Sequence, residues 1–235
     1  MTTENFQTDR ELTAELKLYY DLFVPENAAK PAPLLIAVHG YGGNKRAMMR
    51  EARAVAPDNF AVAALQGFHQ HWREPEESGG KFKVGFSWLT SYKAEDSAAI
   101  HHQALRDLIE NLIGEAIADR DNIFLFGFSQ SCALNFRFAL SNPTILRGII
   151  GACGGIPSDL ETSEIYQPMT AAAFYLYGTR DEFYPLAQFE ANAAKLTNYA
   201  QDFRSKVYDA AHEITAEMRE DVKIFLAEKQ KSLQR

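Results

Sequence analysis

Short apolar runs alternate with helical segments over nearly the whole chain. This predicts an α/β fold, a mainly parallel central sheet of about seven strands with helices on both faces. Two observations carry the prediction. LLIAV (Leu34–Val38) and FAVAAL (Phe60–Leu65) are apolar at every position, as strands covered on both faces require. Between such runs stand segments of helical period, for example Ile100, Ala104, Leu108 and Leu112 on one stripe.

The elements follow in order. Leu16, Leu18, Tyr20, Leu22 and Val24 alternate with polar residues, as in a half-buried strand suited to an antiparallel edge. Pro25 to Pro33 is a connector, and Leu34–Val38 a buried strand. Asn44 caps a helix running to Val55, and Phe60–Leu65 is the next buried strand. A long loop, Gln66 to Ser91, holds Phe68, Trp72, Phe82, Phe86 and Trp88. Its middle, Glu74 to Lys81, reads as mobile, and loops of this length are often functional. Ala94 to Ala118 reads as one helix, Asn122–Phe128 as a strand, and Gln130 to Leu140 as a helix stopped by Asn142-Pro143. Strands at Gly148–Ala152, Ala173–Tyr177 and Phe203–Tyr208 come next, and a helix from Glu213 to Gln230 ends the pattern. No repeat or boundary divides the chain, so 1–235 reads as a single domain without a large cap.

Composition narrows the function classes. Lysine and arginine number 24 against 31 acids, a net charge of −7 that argues against nucleic acid as a partner. Cys132 and Cys153 are too few for a disulfide framework and lack metal-ligand spacing. The first twenty residues carry acids throughout and lack the apolar stretch of a signal peptide. No apolar run reaches the roughly 18 residues of a membrane span. A cytoplasmic protein without stable membrane insertion is expected. The oligomeric state is open, with a homodimer among the alternatives.

The chemistry centres on Gly127-Phe128-Ser129-Gln130-Ser131, between a predicted strand and a predicted helix. A sharp turn there pushes the middle serine above the sheet, and close strand–helix approach calls for small neighbours. A serine nucleophile needs a base and an orienting acid, which in this arrangement follow it in the order acid, then histidine. His212, just past the last strand, is the only histidine after Ser129. Asp181, in YGTRDEFYP, directly follows a buried strand. Glu182, Asp202 and Asp209 are rivals without that placement. A developing oxyanion needs backbone N–H donors. Gln130 supplies one by position. Tyr41, in the glycine-rich turn His39-Gly40-Tyr41-Gly42-Gly43 after LLIAV, supplies the other. That turn lacks the GxGxxG spacing of a dinucleotide site.

The pieces VHGYGGN, FLFGFSQSCAL, YGTRDEFYP and AHEI resemble the phospholipase/carboxylesterase branch of α/β-hydrolases, which includes the acyl-protein thioesterases. The resemblance runs from about Leu34 onward. It implies an α/β-hydrolase fold, no metal or cofactor, and hydrolysis of carboxylic esters or thioesters. It carries functional roles to Ser129, Asp181, His212, Gln130 and Tyr41, and sets Trp88 beside the pocket. Ser131 and Ala211 stand where the family usually has glycine, and Cys153 where serine is common.

Other signals have plainer readings. His69 and His71 form an H-x-H pair without an evident third ligand, so a rim or surface role outweighs a metal site. His101 and His102 read as surface or packing residues, His39 as structural, and Cys132 as buried packing. Trp72, Phe82, Phe86 and Trp88 suit a satellite core or, with Trp72, Phe86 and Trp88 foremost, a substrate pocket. The expected function is ester hydrolysis through an acyl-enzyme on Ser129, acting on small or medium acyl groups of a small-molecule ester or thioester. Thioesterase and small peptidase are alternatives, and so, in another class, is a non-catalytic binding protein of the same fold.

Overall fold

The computed structural model describes residues 7–26, 28–75 and 80–230. A sheet of seven strands, in the order β1-β3-β2-β6-β7-β8-β9, forms its centre. The parallel strands are β2 (Ala32–Val38), β3 (Ala61–Leu65), β6 (Ala118–Phe128), β7 (Gly148–Ala152), β8 (Ala172–Gly178) and β9 (Phe203–Tyr208). β1 (Tyr20–Phe23) lies antiparallel on β3 at one edge. It is shorter than the predicted Leu16–Val24, because only these four residues pair with β3, and Leu16 is exposed.

Helices cover both faces, and the sequence period explains how. Along β2, Leu34, Ile36 and Val38 join one apolar cluster, while Leu35 and Ala37 join the other. The first cluster takes in Leu105 and Leu108 of α2 (Ala94–Gly114), Leu134 and Phe138 of α3 (Gln130–Ser141), and Phe189 of α4 (Leu186–Leu196). The second takes in Met48 and Ala52 of α1 (Lys45–Val55) and Val222 and Phe225 of α5 (Ala216–Lys229). Each large aliphatic or aromatic side chain so enclosed contributes roughly 1.5–3 kcal/mol.

Helix ends differ from expectation where local chemistry intervenes. α2 stops at Gly114, not Ala118, because Ala116 turns left-handed at φ 55° and β6 begins at Ala118. α5 starts at Ala216, not Glu213, because the Thr215 side chain caps it by accepting the Met218 N–H at 3.2 Å.

The expected long loop holds a hairpin, β4 (His69–Arg73) with β5 (Lys83–Ser87), paired antiparallel. Part of the segment expected to be mobile, 76–79, lies outside the described residues. The first six residues, read above for a signal peptide, lie outside them too. Strand pairing sets His69, His71, Gly85 and Ser87 on the inward face. Trp72 and Val84 sit opposite each other on the outward face, both exposed. Among the described residues no large cap covers the strand ends, and no helix is long and apolar enough to cross a membrane.

Because β2, β6, β8 and β9 run parallel, their carboxyl ends emerge on one side of the sheet. Open α/β sheets bind their ligands there.

Candidate active site

Ser129 sits between β6 and α3 at φ 57° and ψ −121°, a conformation that L-residues seldom adopt. Its N–H donates to Ala152 O at 2.9 Å, and its carbonyl accepts the Cys132 N–H at 3.0 Å, so the neighbouring strand and the first helical turn hold it there. Two glycines make room. A Cβ on Gly127 would stand 2.6 Å from Asn135 Nδ2, and one on Gly154 would stand 2.3 Å from Ser129 O.

Ser131, at a position where small size was expected to suffice, uses its hydroxyl as well. Oγ donates to Val38 O at 2.7 Å and accepts the Phe128 N–H at 3.0 Å. The end of β2 is thereby tied to the end of β6.

The structure brings Ser129, His212 and Asp181 together from three separate strand ends. His212 Nε2 lies 2.9 Å from Ser129 Oγ, and His212 Nδ1 lies 2.8 Å from Asp181 Oδ2. The other carboxylate oxygen, Oδ1, accepts the N–H groups of Phe183 at 2.9 Å and Tyr184 at 3.0 Å. The Asp181 side chain is wholly enclosed, with exposure of 0% against 12% for His212. Rings of Phe128, Phe183 and Tyr184 surround the imidazole at centroid distances of 4.9, 4.8 and 6.0 Å. Two of the three rival acids are engaged elsewhere: Asp209 pairs with Arg180 and Asp202 with Lys229. A hydroxyl, an imidazole and a carboxylate in such a line can move a proton off the serine oxygen while fixing the ring's tautomer.

The two proposed oxyanion donors flank Ser129. A Cβ on Gly40 would stand 3.0 Å from Ser129 Cβ, so the turn carrying Tyr41 presses against the serine. In that turn Gly42 N–H bonds Phe86 O at 2.8 Å and Gly43 N–H bonds Gly40 O at 3.1 Å. Among the described residues the Tyr41 N–H has no acceptor. Gln130 opens α3, where N–H groups have no partner within the helix.

The hairpin holds this turn. Phe86 N–H returns a bond to Gly43 O at 3.2 Å, Arg73 reaches Gly42 O at 3.3 Å, and His71 stacks on Tyr41 with centroids 4.6 Å apart. The Gln130 carboxamide accepts the Trp88 N–H at 2.9 Å and donates to Leu89 O at 3.1 Å.

The three aromatics expected around a substrate do not converge on Ser129. Trp88 is fully enclosed and belongs to the core; its neighbours are His39, Phe68 and His101. Trp72 is 69% exposed on the outer face of the hairpin, and Phe86 is half-buried beside Gly43. A cavity of about 330 Å³ beside His212 is lined by Tyr41, Met48, Arg50, Phe128, His212 and Ile214, among others, and by none of these three aromatics. Tyr184, absent from the sequence reading, lies against the His212 ring, and its N–H binds Asp181 Oδ1. Its only signal was the aromatic pair Phe183-Tyr184, which follows Asp181-Glu182.

The remaining histidines are structural in their contacts. His39 Nδ1 pairs with Gly40 O at 2.7 Å, and Nε2 accepts the Gly67 N–H at 2.9 Å. Burial lowers its pKa to about 4, with the Gly40 contact opposing. His69 meets Ser97 Oγ at 2.9 Å. His101 is buried and His102 half-buried, both packed within the helix layer, and burial lowers them to about 3 and about 4. Among the described residues no cluster of three His, Cys, Asp or Glu side chains could hold a metal. Both cysteines are free and buried, and burial raises both thiols.

The profile of the phospholipase/carboxylesterase family matches residues 20–230. Acyl-protein thioesterase 1 of Eremothecium gossypii is 31% identical over 148 residues, 60% of this chain and 61% of that protein. A protein of Nocardia uniformis subsp. tsuyamanensis named as an esterase, NocK, is 24% identical over 156 residues, 65% of this chain and 41% of its own length. The matches therefore span less than two thirds of either relative. The crystal structure of esterase PE8 superposes with a TM-score of 0.73 at 21% identity, covering 92% of this chain and 100% of that one.

Proposed function

The chain belongs to the phospholipase/carboxylesterase family, and from that premise we propose that it is a serine hydrolase cleaving carboxylic esters of small or medium acyl groups through an acyl-enzyme on Ser129. The observation that carries this reading is the unbroken line from Ser129 Oγ to His212 at 2.9 Å and on to Asp181 at 2.8 Å. Ser129 Oγ attacks the carbonyl carbon while His212 Nε2 takes its proton. The electron pair displaced onto the carbonyl oxygen is held by the Tyr41 and Gln130 N–H groups, each worth roughly 3 kcal/mol of barrier. Collapse expels the alcohol, which receives the proton from His212. Water then enters, His212 deprotonates it, and the acyl group leaves Ser129. Asp181 stays ionised, accepts a hydrogen bond from Nδ1–H and so keeps Nε2 free to act as base. The scheme uses no cofactor.

A cavity of about 330 Å³ beside His212 supports an acyl or leaving group of modest size. Thioester cleavage is the second reading, favoured by the relative named as an acyl-protein thioesterase. A cytoplasmic setting accords with two free, buried cysteines.

The test is a panel of esters and thioesters of graded chain length, given to the wild type and to Ser129→Ala, with fluorophosphonate labelling alongside. Turnover of short or medium esters and labelling, both lost in Ser129→Ala, is the expected result. An unlabelled wild type without turnover would make the chain a binding protein instead.

A further inference from the structure

The chain on the two sides of Asp181 is held by different means. Before it, backbone bonds suffice: the N–H groups of Thr179, Arg180 and Asp181 donate to Tyr208 O at 2.8 Å, Ala210 O at 2.8 Å and Gly178 O at 3.0 Å. After it, side chains take over. Asp181 Oδ1 accepts the Phe183 and Tyr184 N–H groups, and the Tyr184 carbonyl accepts the Tyr177 hydroxyl at 2.6 Å. Among the described residues no backbone N–H reaches that carbonyl, and the next residue, Pro185, has no N–H to offer. The Tyr177 hydroxyl is therefore the anchor of the far side.

Tyr177 is itself firmly placed. It stands in β8, paired with Val207 of β9, and is 2% exposed. Its ring stacks on Phe189 of α4, with centroids 4.8 Å apart and planes at 19°. Packing alone would be served by phenylalanine. The phenol adds a donor, and a buried donor needs the acceptor it has found.

Four contacts run in series from this strand to the nucleophile. The Tyr177 hydroxyl binds the Tyr184 carbonyl at 2.6 Å, and the Tyr184 N–H binds Asp181 Oδ1 at 3.0 Å. Asp181 Oδ2 meets His212 Nδ1 at 2.8 Å, and His212 Nε2 meets Ser129 Oγ at 2.9 Å. The second contact sets the rotation of the carboxylate: with Oδ1 engaged by two N–H groups, Oδ2 faces the imidazole. Without the hydroxyl, the Tyr184 carbonyl loses its partner and turns to reach water. The N–H on the same residue turns with it, and Oδ1 loses a donor. The carboxylate then rotates more freely, and the imidazole spends less time aligned on the serine oxygen.

We propose that Tyr177 is a positioning residue for the line from Asp181 through His212 to Ser129, acting through the backbone of Tyr184. This rests on the serine mechanism proposed above.

Tyr177→Phe tests it, because it keeps the ring and its stacking and removes only the hydroxyl. Tyr199→Phe is the control. It loses a bond of the same kind, from the Tyr199 hydroxyl to Leu160 O at 3.0 Å, which joins no member of that line. Both variants should fold, with Tm lowered by about 2–4 °C. With p-nitrophenyl butyrate, kcat of Tyr177→Phe should fall about tenfold with KM within about twofold, since the loss is felt in the transition state and not in substrate binding. Tyr199→Phe should keep both constants. Amide exchange followed by NMR should be at least about tenfold faster at Tyr184 in Tyr177→Phe and unchanged there in Tyr199→Phe. A Tyr177→Phe enzyme with wild-type kcat would overturn the proposal, as would an equal loss of kcat in Tyr199→Phe. Failure of the serine mechanism looks different: Ser129→Ala would match the wild type, or the wild type would turn nothing over. Exchange at Tyr184 would then decide the positioning alone, and an unchanged rate would refute it.

Discussion

The indole N–H of Trp88 donates to the carbonyl of His39 at 2.9 Å. Two residues further on lies Tyr41, and the Trp88 backbone N–H grips the side chain of Gln130. One buried residue thus braces the turn before one proposed oxyanion donor and the side chain of the other. Trp88→Phe should cost about 2–4 kcal/mol of stability, from the lost bond and the space left behind. It should also lower kcat more than it raises KM. Trp72→Phe, at an exposed position, should change stability by less than about 0.5 kcal/mol. Urea unfolding and ester kinetics on both variants check this; equal midpoints for the two would refute the bracing role.

The left-handed backbone at Ser129, φ 57°, gives a second prediction. Ser129→Gly and Ser129→Ala both lack the hydroxyl and should both be inactive, so they differ only in the Cβ. Glycine should be the more stable of the two by roughly 1 kcal/mol, because relief of backbone strain outweighs its greater unfolded-state freedom. Thermal melts decide it, and an alanine variant at least as stable as the glycine variant would mean that the turn stores no strain.

Acid should destabilise the fold. His39, His101 and His102 have folded pKa values lowered to about 4, 3 and 4. The unfolded chain, with ordinary imidazoles, therefore binds more protons as pH drops below about 6.5. Their contribution to stability is present above that value and is lost progressively towards pH 4. Fully developed, the His39 shift alone corresponds to roughly 3 kcal/mol. Nε2 of His39 accepts the Gly67 N–H, so a proton there would also set two donors face to face beside the turn that carries Tyr41. Urea midpoints at pH 7, 5.5 and 4.5 should fall in sequence; a flat series would contradict the shifts.

What the sequence disclosed, and what it hid, follows from burial. β2, β3, β7 and β8 are enclosed at every residue, so their unbroken apolar runs could be read directly. Asp181 could be placed because it follows such a strand, Ser129 because it follows the apolar end of β6, and His212 because it follows the edge strand β9. The hairpin could not be read. Its strand HQHWR buries polar side chains, with His69 on Ser97 and His71 on Tyr41, so hydrophobic alternation is missing. Trp88 shows the limit of composition: an aromatic residue in a loop looks the same whether it lines a cavity or fills the core. Tyr184 was hidden for another reason. Its place against His212 depends on how the chain wraps Asp181, through two N–H bonds to the carboxylate that the aromatic pair alone does not announce.

The order of β6, β8 and β9 along the sheet has a consequence for synthesis on the ribosome. A nascent chain that has emerged through Asp181, just past β8, carries the serine and the carboxylate but not His212 to join them. The missing ring arrives only after β9, the outermost strand, whose docking completes the edge. On the proposed mechanism, an unfinished polypeptide cannot attack the cell's esters, because hydrolytic power switches on with the last strand translated.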